Sequence, residues 1–390
     1  MKVLFICGAY ADENEKEVIS LSKGYVEQSA NIFQKKIIKG LERSHIDYKV
    51  ISAPFIGAYP MRYKKCRFNG FRSLQSKYKY VSFNNIWGIR NFSRASAIKN
   101  EIRRNIKEYV DDELLVLVYC PHTPFLNAAV YAKSLVPNSK ICFIVPDLPQ
   151  YMNVNENNRF LYDIIKKYDI RIMEKFISAV DSFVLLTEPM KDVLNVGKRP
   201  YIVIEGLIDE EFVTPKNNVG DNIKRIVYTG KLNKKFGIKS LVDSFMKIKG
   251  DNYRLILCGD GDAREYILEK AQVDNRIQYK GVVTPREAVE YINSADALVN
   301  PRPNNEEYTK YSFPSKNIEY LMSGNPVVAY MLDGMPECYK DFLYVIPDNQ
   351  NSFENILINA CLKTEHKSDF ITYAKKSLNA TSLIEKIIKL

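Results

Sequence analysis

The chain reads as two doubly wound α/β domains facing one another across a cleft. Three observations predict this. Apolar runs of strand length alternate with helical stretches almost throughout. The alternation stops once, at a polar segment with Pro and Gly, and then restarts. With 390 residues there is room for two or three domains at about 100–200 residues each, each burying its own core.

The first apolar run, Lys2–Cys7, ends at Gly8 and reads as a buried strand. A helical stretch over Tyr25–Arg43 leads to the strand YKVIS. ELLVLVYC, SKICFIVP and SFVLLT are further buried strands, separated by helical segments near Ala95–Tyr109, Leu126–Ser134 and Phe160–Ala179. Such alternation implies a mostly parallel sheet covered by helices on both faces. The linker falls at Thr214–Asp221, TPKNNVGD. RIVYTG, YRLILCG, RIQYKG, ALVNP, PVVAY and LYVIP then repeat the pattern, and the stretch Asp369–Leu390 reads as one amphipathic helix. The expected organisation is a domain over 1–208, a second over 209–368, and a terminal helix over 369–390 returning to the first. Open α/β sheets bind ligands outside the carboxyl ends of their strands, so those ends are where function is sought.

Composition removes several classes. Seven cysteines are scattered without a C-x-x-C pair and histidine occurs three times, which argues against a disulfide scaffold, a zinc module or an iron–sulfur site and suits a reducing compartment. The longest fully apolar runs, such as Leu114–Cys120, are too short to span a bilayer. VLFICGAY followed by ADENEKE lacks a signal-peptide core and a basic leader, so the expected location is the cytoplasm.

The net charge of +10 is uneven. Residues 1–208 hold 31 basic against 21 acidic residues, whereas 209–390 hold 25 of each. Residues 48–100 contain 11 basic residues and no carboxylate. Arg62, Lys64, Lys65, Arg67, Arg72, Lys77 and Lys79 interleave there with Tyr63, Phe68, Phe71 and Tyr78. A solvated basic loop, a nucleic-acid patch and a peripheral membrane contact compete for this segment. No helix-turn-helix, RNP or zinc-finger pattern appears, so no nucleic acid is expected. The membrane contact is the favoured reading: at roughly 1 kcal/mol per basic residue near an anionic leaflet, seven such residues would hold a protein there reversibly.

The segment Tyr311–Pro326, YSFPSKNIEYLMSGNP, offers the most chemistry. Phe313–Pro314 leads into a helix with Pro in its first turn, and the N–H groups and dipole of that end favour an anion. Lys316 adds a cation, Glu319 a carboxylate for neighbouring hydroxyls, and Gly324 ends the helix. A capped surface helix with both side chains solvated is the bland alternative. Gly230–Gly237, GKLNKKFG, ends a strand in a turn carrying Lys231, Lys234 and Lys235, which suit phosphate. In Gly259–Asp262, GDGD, the glycines read as a close-approach turn and Asp262 as the N-cap of the next helix, in preference to a metal site.

With Tyr279–Lys280–Gly281 before Thr284–Pro285 and ADALVNP at Ala295–Pro301, these motifs occur in an order and spacing over about 222–348 that is similar to the nucleotide-sugar domain of GT-B glycosyltransferases, specifically retaining enzymes of glycosyltransferase family 4. The resemblance implies transfer of a sugar from a nucleotide-sugar, UDP-linked on family frequency, with no metal or other cofactor. The implied acceptor is a lipid-linked or oligosaccharide intermediate of bacterial capsule or other surface polysaccharide synthesis, and the basic first domain points to the inner face of the membrane as a peripheral site. The implied donor contacts are Gly8, Lys231, Lys235, Gly259, Gly261, Val282, Tyr311, Ser315, Lys316, Asn317 and Glu319. Glu319 matches the second Glu of the family's E-x7-E motif; the first falls at Tyr311, a departure. Lys231 stands where the family commonly has Arg, and Phe236 where a second basic residue is usual, with Lys235 one position earlier. The stretch SKGYVEQSANIFQKKI sits where the family places acceptor contacts. His122 in YCPHTPFL and Asp147 in VPDLPQYM follow central strands and are the catalytic-side candidates; Arg62, Lys64, Lys65, Arg67 and Arg72 form the membrane or acceptor side. A nucleotide-sugar epimerase-like enzyme on this fold, or a binding module on a degenerate transferase scaffold, are the rival readings.

Overall fold

A computed structural model describes residues 1–24, 26, 28–72, 77–109, 113–151, 160–208, 221–347, 352–364 and 367–390. The expected linker Thr214–Asp221 lies outside them apart from Asp221, as do Tyr25 and Glu27 of the first helical stretch. The chain divides into two compact units, residues 1–207 with 380–390, and residues 208–379.

The first unit is built on β1 (Lys2–Cys7), β2 (Asp47–Ser52), β4 (Tyr78–Tyr80), β6 (Leu114–Tyr119), β7 (Lys140–Val145), β8 (Ser182–Leu185) and β9 (Tyr201–Val203), with β3 (Arg67–Phe68) and β5 (Phe83–Asn84) as a small antiparallel pair apart. The main sheet runs β4-β2-β1-β6-β7-β8-β9, and every neighbouring pair is parallel. Its centre is dry: Val3, Leu4, Phe5 and Ile6 of β1 and Val116, Leu117 and Val118 of β6 are fully buried. Each such side chain stabilises the fold by about 1.5–3 kcal/mol relative to exposure, which is why these strands are continuous apolar runs. Order reverses between β1 and β6, the place where a doubly wound sheet opens a crevice at its carboxyl edge.

The second unit repeats the plan with β10 (Lys224–Thr229), β11 (Tyr253–Cys258), β12 (Ile277–Gly281), β13 (Ala297–Asn300), β14 (Val327–Ala329) and β15 (Leu343–Val345), in the order β12-β11-β10-β13-β14-β15, again all parallel. Here the reversal lies between β10 and β13. All six strands stand where the apolar runs put them.

Three details differ from the sequence reading. The terminal stretch is two helices, Phe370–Ser377 and Ala380–Ile388. The side-chain amide of Asn379 donates to the Lys375 carbonyl at 2.6 Å and closes the first of them. Only the second helix belongs to the first unit, where it packs on the helix Gln28–Arg43 so closely that a Cβ on Gly40 would stand 2.6 Å from the Ala380 carbonyl oxygen. The basic segment is not simply a loop, because it supplies the edge strand β4. Its aromatics also turn inward: Tyr63, Phe68 and Tyr78 are buried, and Phe68 stacks on Phe83 with ring centroids 5.4 Å apart. Those rings are not available to bases or lipid.

Candidate functional site

In the second unit the chemistry gathers at the carboxyl ends of β11, β10 and β13, around the order reversal. After β10 the chain turns at Gly230, with φ +141°, a conformation that side chains rarely adopt. The neighbouring turn at Gly259, φ +131°, lies against it: a Cβ on Gly259 would overlap the Gly230 carbonyl. Gly259 donates to the Gly281 carbonyl at 2.7 Å, and Gly230 to that of Cys258 at 2.8 Å, so three strand ends are laced together by backbone. The Tyr228 hydroxyl donates to the Lys231 carbonyl at 2.8 Å and closes the lysine turn.

The Lys316 side chain lies back over this turn. A Cβ on Gly230 would stand 2.7 Å from its Nζ and 2.8 Å from its Cε. Nζ is 5.9 Å and 5.8 Å from the ring centroids of Tyr228 and Tyr320. Burial lowers the ammonium's pKa, and Glu319 one helical turn on raises it in part. A half-buried cation so placed gains from an incoming anion, because its field is little screened there.

What aims Lys316 is the residue four positions on. Tyr320 is fully buried, and its hydroxyl accepts from the Thr229 backbone N–H at 2.9 Å and donates to the Thr229 carbonyl at 3.2 Å, pinning the helix Ser315–Leu321 to the end of β10. Tyr320→Phe would strand a buried N–H. Chemical denaturation should show a loss of about 1–3 kcal/mol, with an unchanged value ruling the clamp out.

The remaining predicted donor residues divide. Lys231 and Lys235 are exposed at the β10 turn, and Lys235 Nζ lies 5.5 Å from the Phe236 ring centroid. Gly261 sits at the β11 turn. Val282, just past β12, is 78% exposed, an apolar surface at a strand end. Ser315 and Glu319 are exposed, and Tyr311 ends a short 3-10 turn, Glu307–Tyr311. Asn317 is a correction. It is fully buried, its Oδ1 accepts from Asn300 at 2.6 Å and its N–H donates to the Pro314 carbonyl, so it ties the helix to β13 and does not face the edge. Pro314 stands at the N-cap of this seven-residue helix, outside its first turn. Asp262 is likewise no N-cap. Ala263 holds that position, and the Asp262 carboxylate accepts from the Lys234 backbone N–H at 2.6 Å, bracing the lysine turn from below. Arg302, two residues past β13, is a basic group the motif reading stopped short of. Its guanidinium donates to Ser312 Oγ at 3.0 Å and stacks over Tyr308 at 4.9 Å. A positive charge just beyond a strand's carboxyl end was the signal for it.

In the first unit Gly8, His122 and Asp147 follow β1, β6 and β7, three adjacent strands, so the topology brings them to one edge. Gly8 offers no N–H to a ligand, because the Gln34 side chain accepts from it at 2.7 Å, while Asn31 accepts from Tyr10 N at 3.0 Å. Those two residues of the expected acceptor helix are buried props for the β1 turn. Asp147 is exposed. His122 packs edge-on against Phe125 and Phe55, with centroids 4.4 Å and 5.5 Å away. Burial, then Arg94 and Arg90, hold its pKa well below 6.5. Arg94, itself 2% exposed, donates to the Pro54 carbonyl at 2.7 Å, and burial lowers its own pKa to about 9.

His122 is therefore neutral in the fold while the unfolded chain takes up its proton below about pH 6.5. Its contribution to stability is complete above that pH and is lost on acidification. Between pH 7 and 5, His122→Gln should lose less stability than the parent; equal losses would place another group behind the pH dependence.

Residues 223–361, within the second unit, match the family model described as glycosyl transferases group 1. The chain has the GT-B fold, and its residues 223–361 form a domain similar to group 1 glycosyl transferases. Solved structures similar over the whole GT-B chain include the lipopolysaccharide outer core galactosyltransferase WaaB in its apo form, at 15% identity and TM-score 0.63, covering 100% of this chain and 99% of that one. A TarM variant from S. aureus in complex with fondaparinux, alpha-GlcNAc-glycerol and UDP gives 12% identity and TM-score 0.58 with 100% and 99% coverage. Anabaena HepE in complex with UDP and glucose gives 13% identity and TM-score 0.54 with 100% and 98% coverage. No curated protein matches the sequence. Among the described residues, no helix is long and apolar enough to cross a membrane.

Proposed function

We propose that this glycosyltransferase is a retaining enzyme of family 4 that moves a sugar from a UDP-sugar to a lipid-linked or saccharide acceptor in bacterial surface-polysaccharide synthesis, without a metal, at the inner face of the membrane. The observation that carries the donor half is Lys316, folded over the Gly230 turn at the order reversal of the second sheet, with Glu319 one turn further on. On this reading Lys316 and the exposed Lys231 and Lys235 take the diphosphate, where negative charge grows as the sugar departs, and Glu319 accepts from ribose hydroxyls. The half-buried Lys316 and the hydrogen-bonded turn that carries Lys231 and Lys235 cost little reorganisation at that moment. The UDP named with the TarM and HepE structures supports the choice of nucleotide. A neutral His122 acts on this reading as a hydrogen-bonding group for a sugar hydroxyl, not as a cation, and Asp147 as a charge-stabilising neighbour. The carboxylate-free stretch 48–100, with Arg62, Lys64 and Arg67 exposed, supports an anionic lipid surface on the acceptor side, whereas the exposed Lys65 pairs with Glu17 at 2.8 Å.

Thermal shifts against UDP, GDP, dTDP and CDP test the donor half. Stabilisation by UDP above the others supports it. Well-folded protein that responds to none of the four rejects it.

A further inference from the structure

The apolar surface of the first unit is concentrated beside its basic stretch. Met61 is 72% exposed, Trp87 62% and Phe92 80%, with Ile86 and Ile89 also open to solvent. They come from two segments that the backbone stitches together. Tyr59 and Ile86 form a bridge, Tyr59 N donates to the Asn85 carbonyl at 2.8 Å, Asn85 N to that of Cys66 at 2.7 Å, and Arg67–Phe68 pairs with Phe83–Asn84. Met61 thus sits on a turn beside Trp87, and Ile89 and Phe92 follow three residues apart at the start of the helix Arg90–Arg104. The inward residues of the same segments, Tyr63, Phe68, Phe83 and Asn85, are buried, so the outward ones stand on a fixed base.

Folding gains nothing from leaving Trp87 and Phe92 in water, and isolated exposed apolar residues need no explanation. Five together, on a stitched pair of segments that also presents Arg62, Lys64 and Arg67 and carries no carboxylate of its own, are a different matter. Cations reaching anionic headgroups around rings that sit at the acyl boundary are the chemistry of an interfacial contact. We infer that Trp87, Phe92, Ile89 and Met61 insert into the interface of an anionic bilayer, with Arg62, Lys64 and Arg67 at the headgroups. This rests on the lipid-side reading above and deepens it. The basic residues alone would hold the protein at the surface, whereas the apolar cluster fixes which face enters.

Trp87 is the chain's single tryptophan, so its emission reports this patch and nothing else. With full-length protein, vesicles containing phosphatidylglycerol should move the emission to shorter wavelength, and brominated acyl chains should quench it; neutral phosphatidylcholine vesicles should do neither. Phe92→Ser, followed by fluorescence, and Trp87→Ser, followed by vesicle flotation, should each weaken partitioning about tenfold and leave the nucleotide thermal shift intact. Vesicle binding with unmoved emission would overturn the insertion while sparing the peripheral reading. No vesicle binding beside a normal nucleotide shift would overturn both and leave the donor site standing. An emission shift that grows with protein concentration in the absence of lipid, together with a dimer in sedimentation, would overturn the inference in favour of a contact between copies of the chain.

Discussion

Lys316→Ala is expected to lower UDP affinity about thirtyfold with little change in melting temperature. A charge-assisted bond to phosphate contributes about 1.5–3 kcal/mol, and 2 kcal/mol corresponds to that factor in a dissociation constant. The fold should tolerate the change, because burial disfavours the ammonium and, among the described residues, no carboxylate lies within ion-pair distance of it. Glu319→Ala should weaken nucleotide binding less, through ribose hydroxyls alone. Titration calorimetry of both variants decides the matter. An unchanged affinity in Lys316→Ala would move the diphosphate away from the Gly230 turn.

Gly259→Ala is expected to be the most damaging single-methyl change in the second unit, about 3 kcal/mol or more. The added Cβ would enter the Gly230 carbonyl, which is backbone on both sides, and the residue would have to hold φ +131°. Relief requires the carboxyl ends of β10 and β11 to separate, which would also displace the turn that Lys316 covers. Denaturant unfolding should show the loss of stability, and UDP affinity should fall with it. A variant as stable as the parent would mean that the two turns move apart freely.

The six strands of the second unit were legible because parallel strands covered on both faces are continuous apolar runs, and the group of residues at their carboxyl ends followed from motif order. Asn317 was not legible. A polar residue early in a helix reads as solvent-facing, and only the approach of Asn300, seventeen positions earlier, reveals its burial. Asp262 misled for the same reason, since its partner, the Lys234 N–H, arrives from another strand end. The edge strand β4 was readable after all: Lys77-Tyr78-Lys79-Tyr80 alternates with the two-residue period of a half-buried strand, and the density of charge hid the pattern. Trp87 and Phe92 were passed over because apolar residues in a globular chain read by default as core. Their exposure depends on which neighbours fold beside them, and one sequence does not carry that.

The first unit is interrupted in the chain, since residues 208–379 are inserted between its main body and the helix Ala380–Ile388. During synthesis residues 208–379 are added before that helix, and domains fold as units as they emerge. Until that helix has emerged the first unit stays unfinished, with the face of Gln28–Arg43 that Leu383, Ile384 and Ile387 later cover still bare. The unit whose strands come earlier in the chain is thus completed only by a helix made after the whole of the other unit.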